Sequence, residues 1–82
     1  MAKELVWELF IEDVADFLGL KTIEINRNTH LLHDLGLDSL GIFSLGMKLV
    51  KVYNVNLPLA KVSSIETIGD IFSEMQKVKN GL

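Results

Sequence analysis

The stretch Leu35-Gly36-Leu37-Asp38-Ser39-Leu40 reads as the end of a loop and the start of a helix. Asp38 is a good N-cap, because its carboxylate can accept a hydrogen bond from a first-turn amide. Ser39 then falls in the first turn, with its hydroxyl exposed at the end of the element. First-turn amides lack intrahelical acceptors, and the helix dipole favours negative charge beside them. A phosphodiester on Ser39 would therefore sit in a site that suits it. Gly36 permits a tight approach into the turn, and Leu37 and Leu40 flank the serine with apolar surface. Taken alone, Asp-Ser is also an ordinary helix start, and that reading stays open at this point.

Downstream, the spacing predicts a second helix over 39–53, with Leu40, Phe43, Met47, Val50 and Tyr53 as its apolar stripe. Asn54 to Pro58 ends it, and a short helical turn follows at 59–63. A last helix is predicted over 67–79, opened by a capping-box-like pair, Thr67 and Asp70. Its stripe is Ile68, Ile71, Phe72, Met75 and Val78, and Lys77 and Lys79 suit its C-terminal end.

Upstream, a first helix is expected over about 3–18, with Val6, Phe10, Val14, Phe17 and Leu18 on one stripe and Gly19 as the stop. Leu5, Trp7, Leu9 and Ile11 exceed a single stripe and are either extra core or an exposed patch. Residues 20–37 read as a long loop pinned by Leu31, Leu32, Leu35 and Leu37. Ile23-Glu24-Ile25 alternates like a strand, but no second strand is evident to pair with it. A loop of that length in a small domain points to function. The fold class is all-α: a small bundle of three main helices and one short one.

Composition narrows the chemistry. The chain has 82 residues, 49% of them hydrophobic, which suffices for one core and leaves little room for a deep catalytic cleft. It contains no cysteine, so any thiol the function needs is imported on a cofactor. No apolar run is long enough for a membrane span, and the N-terminus lacks signal-peptide character. A cytoplasmic monomer is expected. The net charge of −3 is unevenly spread: residues 1–38 hold three basic and eight acidic side chains, whereas 39–65 hold Lys48, Lys51 and Lys61 and no acid. That middle segment either varies as surfaces do or faces a partner that an acidic surface would repel. Three lysines and one tyrosine do not make a nucleic-acid site. His30, His33 and Asp34 lack the further ligands a metal site wants. No G-x-S-x-G elbow accompanies Ser39, which argues against a hydrolase. No catalytic residue and no metal ligand is assigned.

Residues 35–40 resemble the L-G-x-D-S-L attachment motif of acyl carrier proteins and peptidyl carrier domains. The resemblance extends to Asn56-Leu57-Pro58 after the second helix and to Ile65-Glu66-Thr67-Ile68 at the entry to the last. It includes Leu18-Gly19-Leu20, with Ile25, behind the first helix. It implies a four-helix acyl-carrier-type bundle, with the long loop between helices 1 and 2, forming a single carrier domain over 1–82. Ser39 would receive phosphopantetheine from a phosphopantetheinyl transferase using coenzyme A, within a motif formed by Gly36, Leu37, Asp38 and Leu40. The arm's thiol would hold acyl groups as thioesters and supply the thiol the chain lacks. The protein would be a carrier, not an enzyme.

One departure stands out. Carriers of bacterial fatty acid synthesis have a second helix rich in acids, whereas residues 41–53 here hold two lysines and no acid. Steering by basic enzyme surfaces would fail or reverse. The expectation is a specialised carrier in fatty acid, lipid or polyketide-type biosynthesis. Its acyl-loading and acyl-processing enzymes would have a docking surface not tuned to an acidic second helix. The resemblance suggests that Phe43, Met47, Leu57 and Val62 line an acyl pocket, although such residues also read as plain core. The expected partner surface is Leu37, Leu40, Gly41, Ile42, Lys48 and Lys51. Ile42, Leu45 and Val52 are expected partly exposed. Gly41 reads as room for a docking enzyme, and Gly46 as a glycine tolerated inside a packed helix. An aminoacyl or peptidyl carrier, and an unmodified carrier-like interaction module, are the alternatives.

Overall fold

A computed structural model describes residues 3–81, with the side chains of residues 59 and 60 outside that description. Its elements are α1 (Trp7–Leu18), a 3-10 turn (Thr22–Glu24), α2 (Ser39–Tyr53), α3 (Leu59–Val62) and α4 (Ile68–Lys79). The all-α bundle of three main helices and a short one is the observed fold.

α1 begins four residues later than its spacing suggests. Val6, β-branched and extended (φ −122°, ψ 149°), stands at its N-cap, and the segment before it is tied down elsewhere. The Lys3 amide donates to the Val52 carbonyl (3.4 Å), and the Lys3 ammonium donates to Asp13 (3.0 Å). Gly19 ends the helix in the left-handed region (φ 71°). Of the expected stripe, Phe10 and Val14 are fully buried, but Phe17 is exposed; Leu5 and Ile11 take its place in the core.

α2 has the expected bounds but a different inward face. Leu45 and Leu49 are fully buried and Tyr53 nearly so, while Leu40, Phe43 and Met47 are 73%, 45% and 56% exposed. Leu45, expected to be partly exposed, is core. The reason is that α2 is apolar around most of its circumference, so periodicity alone does not set its phase. Ile42 and Val52 are half-buried, as expected.

The core joins Phe10 and Val14 to Leu31, Leu45, Leu49, Ile68, Ile71 and Met75. An aromatic cluster seals one side: Phe72 meets Phe10 and Trp7 edge-on at 5.0 and 5.4 Å between ring centroids. The Arg27 guanidinium covers the Trp7 ring at 4.2 Å.

The long loop is ordered because its carbonyls satisfy the amides that open α4. Gly69 donates to Arg27 O (3.0 Å) and Ile68 to Thr29 O (3.1 Å), while Leu31 donates to Glu66 O (2.8 Å). The loop's pairing thus falls at His30, in a single bridge to Thr67, and not at 23–25. There Ile23 is 89% exposed and only Ile25 is buried. Thr67 is the N-cap of α4, and the expected capping box is complete: the Asp70 amide donates to Thr67 Oγ1 and the Thr67 amide to Asp70 Oδ2.

Candidate functional site

A tight turn delivers the chain to α2. His30 Nδ1 accepts the amides of Leu32 (3.2 Å) and His33 (3.1 Å), and Asp34 Oδ2 accepts the His30 amide (2.7 Å). Gly36 takes the left-handed conformation (φ 67°) and donates to Leu32 O (2.9 Å), and the Leu37 amide donates to Leu31 O (3.0 Å). This capping role of His30 had no signal in the sequence, since histidine is not among the usual capping residues.

Asp38 then runs extended (φ −85°, ψ −177°), and its Oδ1 accepts the Gly41 amide at 2.8 Å. Ser39 is the first helical residue and is exposed. Among the described residues its hydroxyl makes no hydrogen bond, and the amides of Ser39 and Leu40 have no intramolecular acceptor. The serine therefore offers a free hydroxyl beside two unpaired donors at the positive end of a helix, which fits a phosphodiester. Gly41 has a reason within the chain itself. A Cβ there would lie 3.3 Å from Leu37 Cδ2 and 3.4 Å from Asp38 Oδ1, so glycine lets both close over the first turn.

No hydrogen bond joins a histidine to Ser39 among the described residues. The His30 and His33 rings lie 4.3 Å apart between centroids, tilted by 44°. No group of three or more metal-capable side chains occurs among those residues.

Phe43, Met47, Leu57 and Val62 line one apolar crevice together with Ile42, Gly46, Val50, Ile65 and Ile71, with a volume of about 40 Å³. The crevice is narrow, and Phe43 and Met47 stand exposed at its edge. Gly46 is critical here: a Cβ on it would lie 3.3 Å from Leu57 Cδ2. Leu37, Leu40, Lys48 and Lys51 lie outside the crevice, whereas Ile42 contributes to its wall. A larger hollow of about 680 Å³ sits at the other end of α2, beside Lys3, Asn54 and Lys79. It is open and polar and shares no residue with the Ser39 turn.

Buried Tyr53 is structural. Burial, then its hydrogen bond to the Asp13 carboxylate (2.5 Å), pushes its hydroxyl well above the ordinary phenol range, so it remains a donor.

The sequence model of the family described as phosphopantetheine attachment site matches residues 8–73, a span running from α1 through the Ser39 turn into α4. The chain belongs to this family. The carrier is 31% identical over 67 residues to the acyl carrier protein of Clostridium acetobutylicum, covering 82% of this chain and 87% of that one. It is 33% identical over 69 residues to the acyl carrier protein of Syntrophobacter fumaroxidans, covering 84% and 85%. Over 80 residues it is 30% identical to a reducing polyketide synthase of Aspergillus oryzae, covering 98% of this chain but 3% of that one. Membership gives the carrier phosphopantetheine as its covalent cofactor, and carriage instead of catalysis as its role. Carriers of this family work with a phosphopantetheinyl transferase and with biosynthetic enzymes. Among the described residues no helix is long and apolar enough to cross a membrane.

Proposed function

We propose that the chain is a single-domain acyl carrier whose phosphopantetheine is attached through Ser39 Oγ, and that it serves a specialised cytoplasmic pathway of fatty acid, lipid or polyketide type. The observation that carries this reading is the placement of Ser39: exposed, first in α2, and beside the unpaired amides of Ser39 and Leu40. When bound, the arm supplies a terminal thiol that holds an acyl group as a thioester. The residues of the chain do the rest. The Asp38 cap and the Gly36 turn hold the hydroxyl outward for modification, and the first-turn amides and helix dipole favour the phosphodiester charge. The crevice of Phe43, Met47, Leu57 and Val62 shelters the near end of the acyl chain. The acid-free α2 supports a specialised pathway, since enzymes with basic docking faces gain nothing from it.

Incubation of the unmodified protein with hexanoyl-coenzyme A and a broad-specificity transferase tests this reading. The expected product carries one acyl-phosphopantetheine, and hydroxylamine removes the acyl group but leaves the arm. An unchanged mass with several transferases would favour the unmodified interaction module instead.

A further inference from the structure

The phase of α2 turns one coherent stripe toward solvent. With Leu45, Leu49 and Tyr53 inward, the opposite face presents Leu40, Ser44, Met47 and Lys51, with Phe43 and Lys48 at its edges, and all six are exposed. Among the described residues Lys48, Lys51 and Lys61 form no ion pair, and residues 39–65 contain no acid. At the serine end the charge reverses, because Asp34 and Asp38 are exposed there. Along the axis the face thus runs acidic, apolar, basic. At about 1.5 Å per helical residue, Lys48 and Lys51 stand roughly 14 and 18 Å from Ser39.

We infer that this face docks enzymes whose active-site mouth has an apolar rim and whose carboxylates lie roughly 14–18 Å from that mouth. The inference rests on the carrier reading above and adds to it the sign and position of the partner's charge. Leu40, Phe43 and Met47 supply the buried centre of such an interface, and the lysines at its edge orient it. Lysines in the last turn of a helix, as Lys51 and Lys61 are, also suit the helix dipole, but that accounts for neither Lys48 nor the exposed apolar residues. An anionic membrane surface is the weaker occupant, because Asp34 and Asp38 beside Leu40 would be pressed against it.

The test uses two phosphopantetheinyl transferases, one with an acidic carrier-binding groove and one with a basic groove. Each acts on the full chain, on a Lys48→Glu/Lys51→Glu variant and on a Lys48→Gln/Lys51→Gln variant of matched thermal stability. With the acidic groove, kcat/KM should fall about tenfold from wild type to the Glu variant at low salt, with the Gln variant between. With the basic groove the order should reverse, and added NaCl should compress both trends. Equal kcat/KM for all three chains with both enzymes would overturn the inference while leaving the carrier reading intact. Failure of both enzymes to modify any chain would instead overturn the carrier reading. Binding of wild type to phosphatidylserine vesicles that the Glu variant loses, with unchanged enzyme kinetics, would assign the face to lipid and overturn the inference.

Discussion

Gly46 and Leu57 meet across the crevice beside α2: a Cβ on Gly46 would stand 3.3 Å from Leu57 Cδ2. The contact joins helix packing to cargo space. Gly46→Ala gains about 1 kcal/mol of helix propensity and loses a similar amount in crowding, so thermal stability should hardly change. The added methyl occupies much of a crevice of about 40 Å³. In the acylated protein, the chemical-shift changes that acylation causes at Met47 and Val62 should shrink, and the thioester should hydrolyse faster. Unchanged shifts and hydrolysis would place the acyl chain elsewhere.

Asp38 caps the helix that presents Ser39. Asp38→Ala should lower stability by about 1 kcal/mol, with Asp38→Asn largely restoring it. Urea denaturation at pH 7 measures the difference, and equal midpoints would show that the cap contributes nothing.

The loop is docked on α4 through backbone. A Cβ on Gly69 would lie 2.8 Å from Arg27 O and 3.2 Å from Arg27 Cβ. Gly69→Ala therefore forces backbone apart and should cost about 1–3 kcal/mol, with faster amide exchange at Ile68 and Leu31. A melting temperature equal to wild type would show that the loop yields freely.

His30 Nδ1 accepts two amides in the turn that leads to Ser39. His30→Ala leaves both without an intramolecular acceptor and should cost about 1 kcal/mol. Hydrogen exchange should quicken at Leu32 and His33 while the α4 amides stay protected. Unchanged exchange at those two positions would remove His30 from the account of the turn.

Acid should weaken α4 through Asp70. Burial pushes its carboxyl up, but hydrogen bonds from the Glu66 and Thr67 amides and from Thr67's side chain, with the nearby His30, outweigh it and hold it below its ordinary value. A carboxyl lowered by folding adds stability above its unfolded value and loses it as pH falls through the folded one. Asp70→Asn should be less stable at pH 7 and should flatten the decline on acidification. A decline of wild-type steepness in the variant would assign the acid sensitivity to other groups.

The helix order, the bounds of α2 and the Thr67–Asp70 box were legible because caps and stops are local chemistry. The face of α2 was not, because a helix apolar nearly all round carries no phase. Its inward side is chosen by what α1 and α4 bring against Leu45 and Leu49. The expected stripe of Leu40, Phe43 and Met47 proved to be the outward face and the crevice edge. The docking of the loop was equally hidden, since Arg27 and Thr29 act through carbonyls that any residue would offer. The position of Ser39 at the start of α2 was legible because its neighbours set the turn, the cap and the first helical position within six residues.

The attachment of the arm to Ser39 is the central claim, and intact mass spectrometry tests it most directly. Purified wild type and Ser39→Ala are incubated with coenzyme A and a broad-specificity phosphopantetheinyl transferase, and their masses are compared before and after. The account predicts a gain of one phosphopantetheine on the wild type and none on Ser39→Ala. An equal gain on both proteins would move the attachment to another residue, and no gain on either would contradict the carrier role.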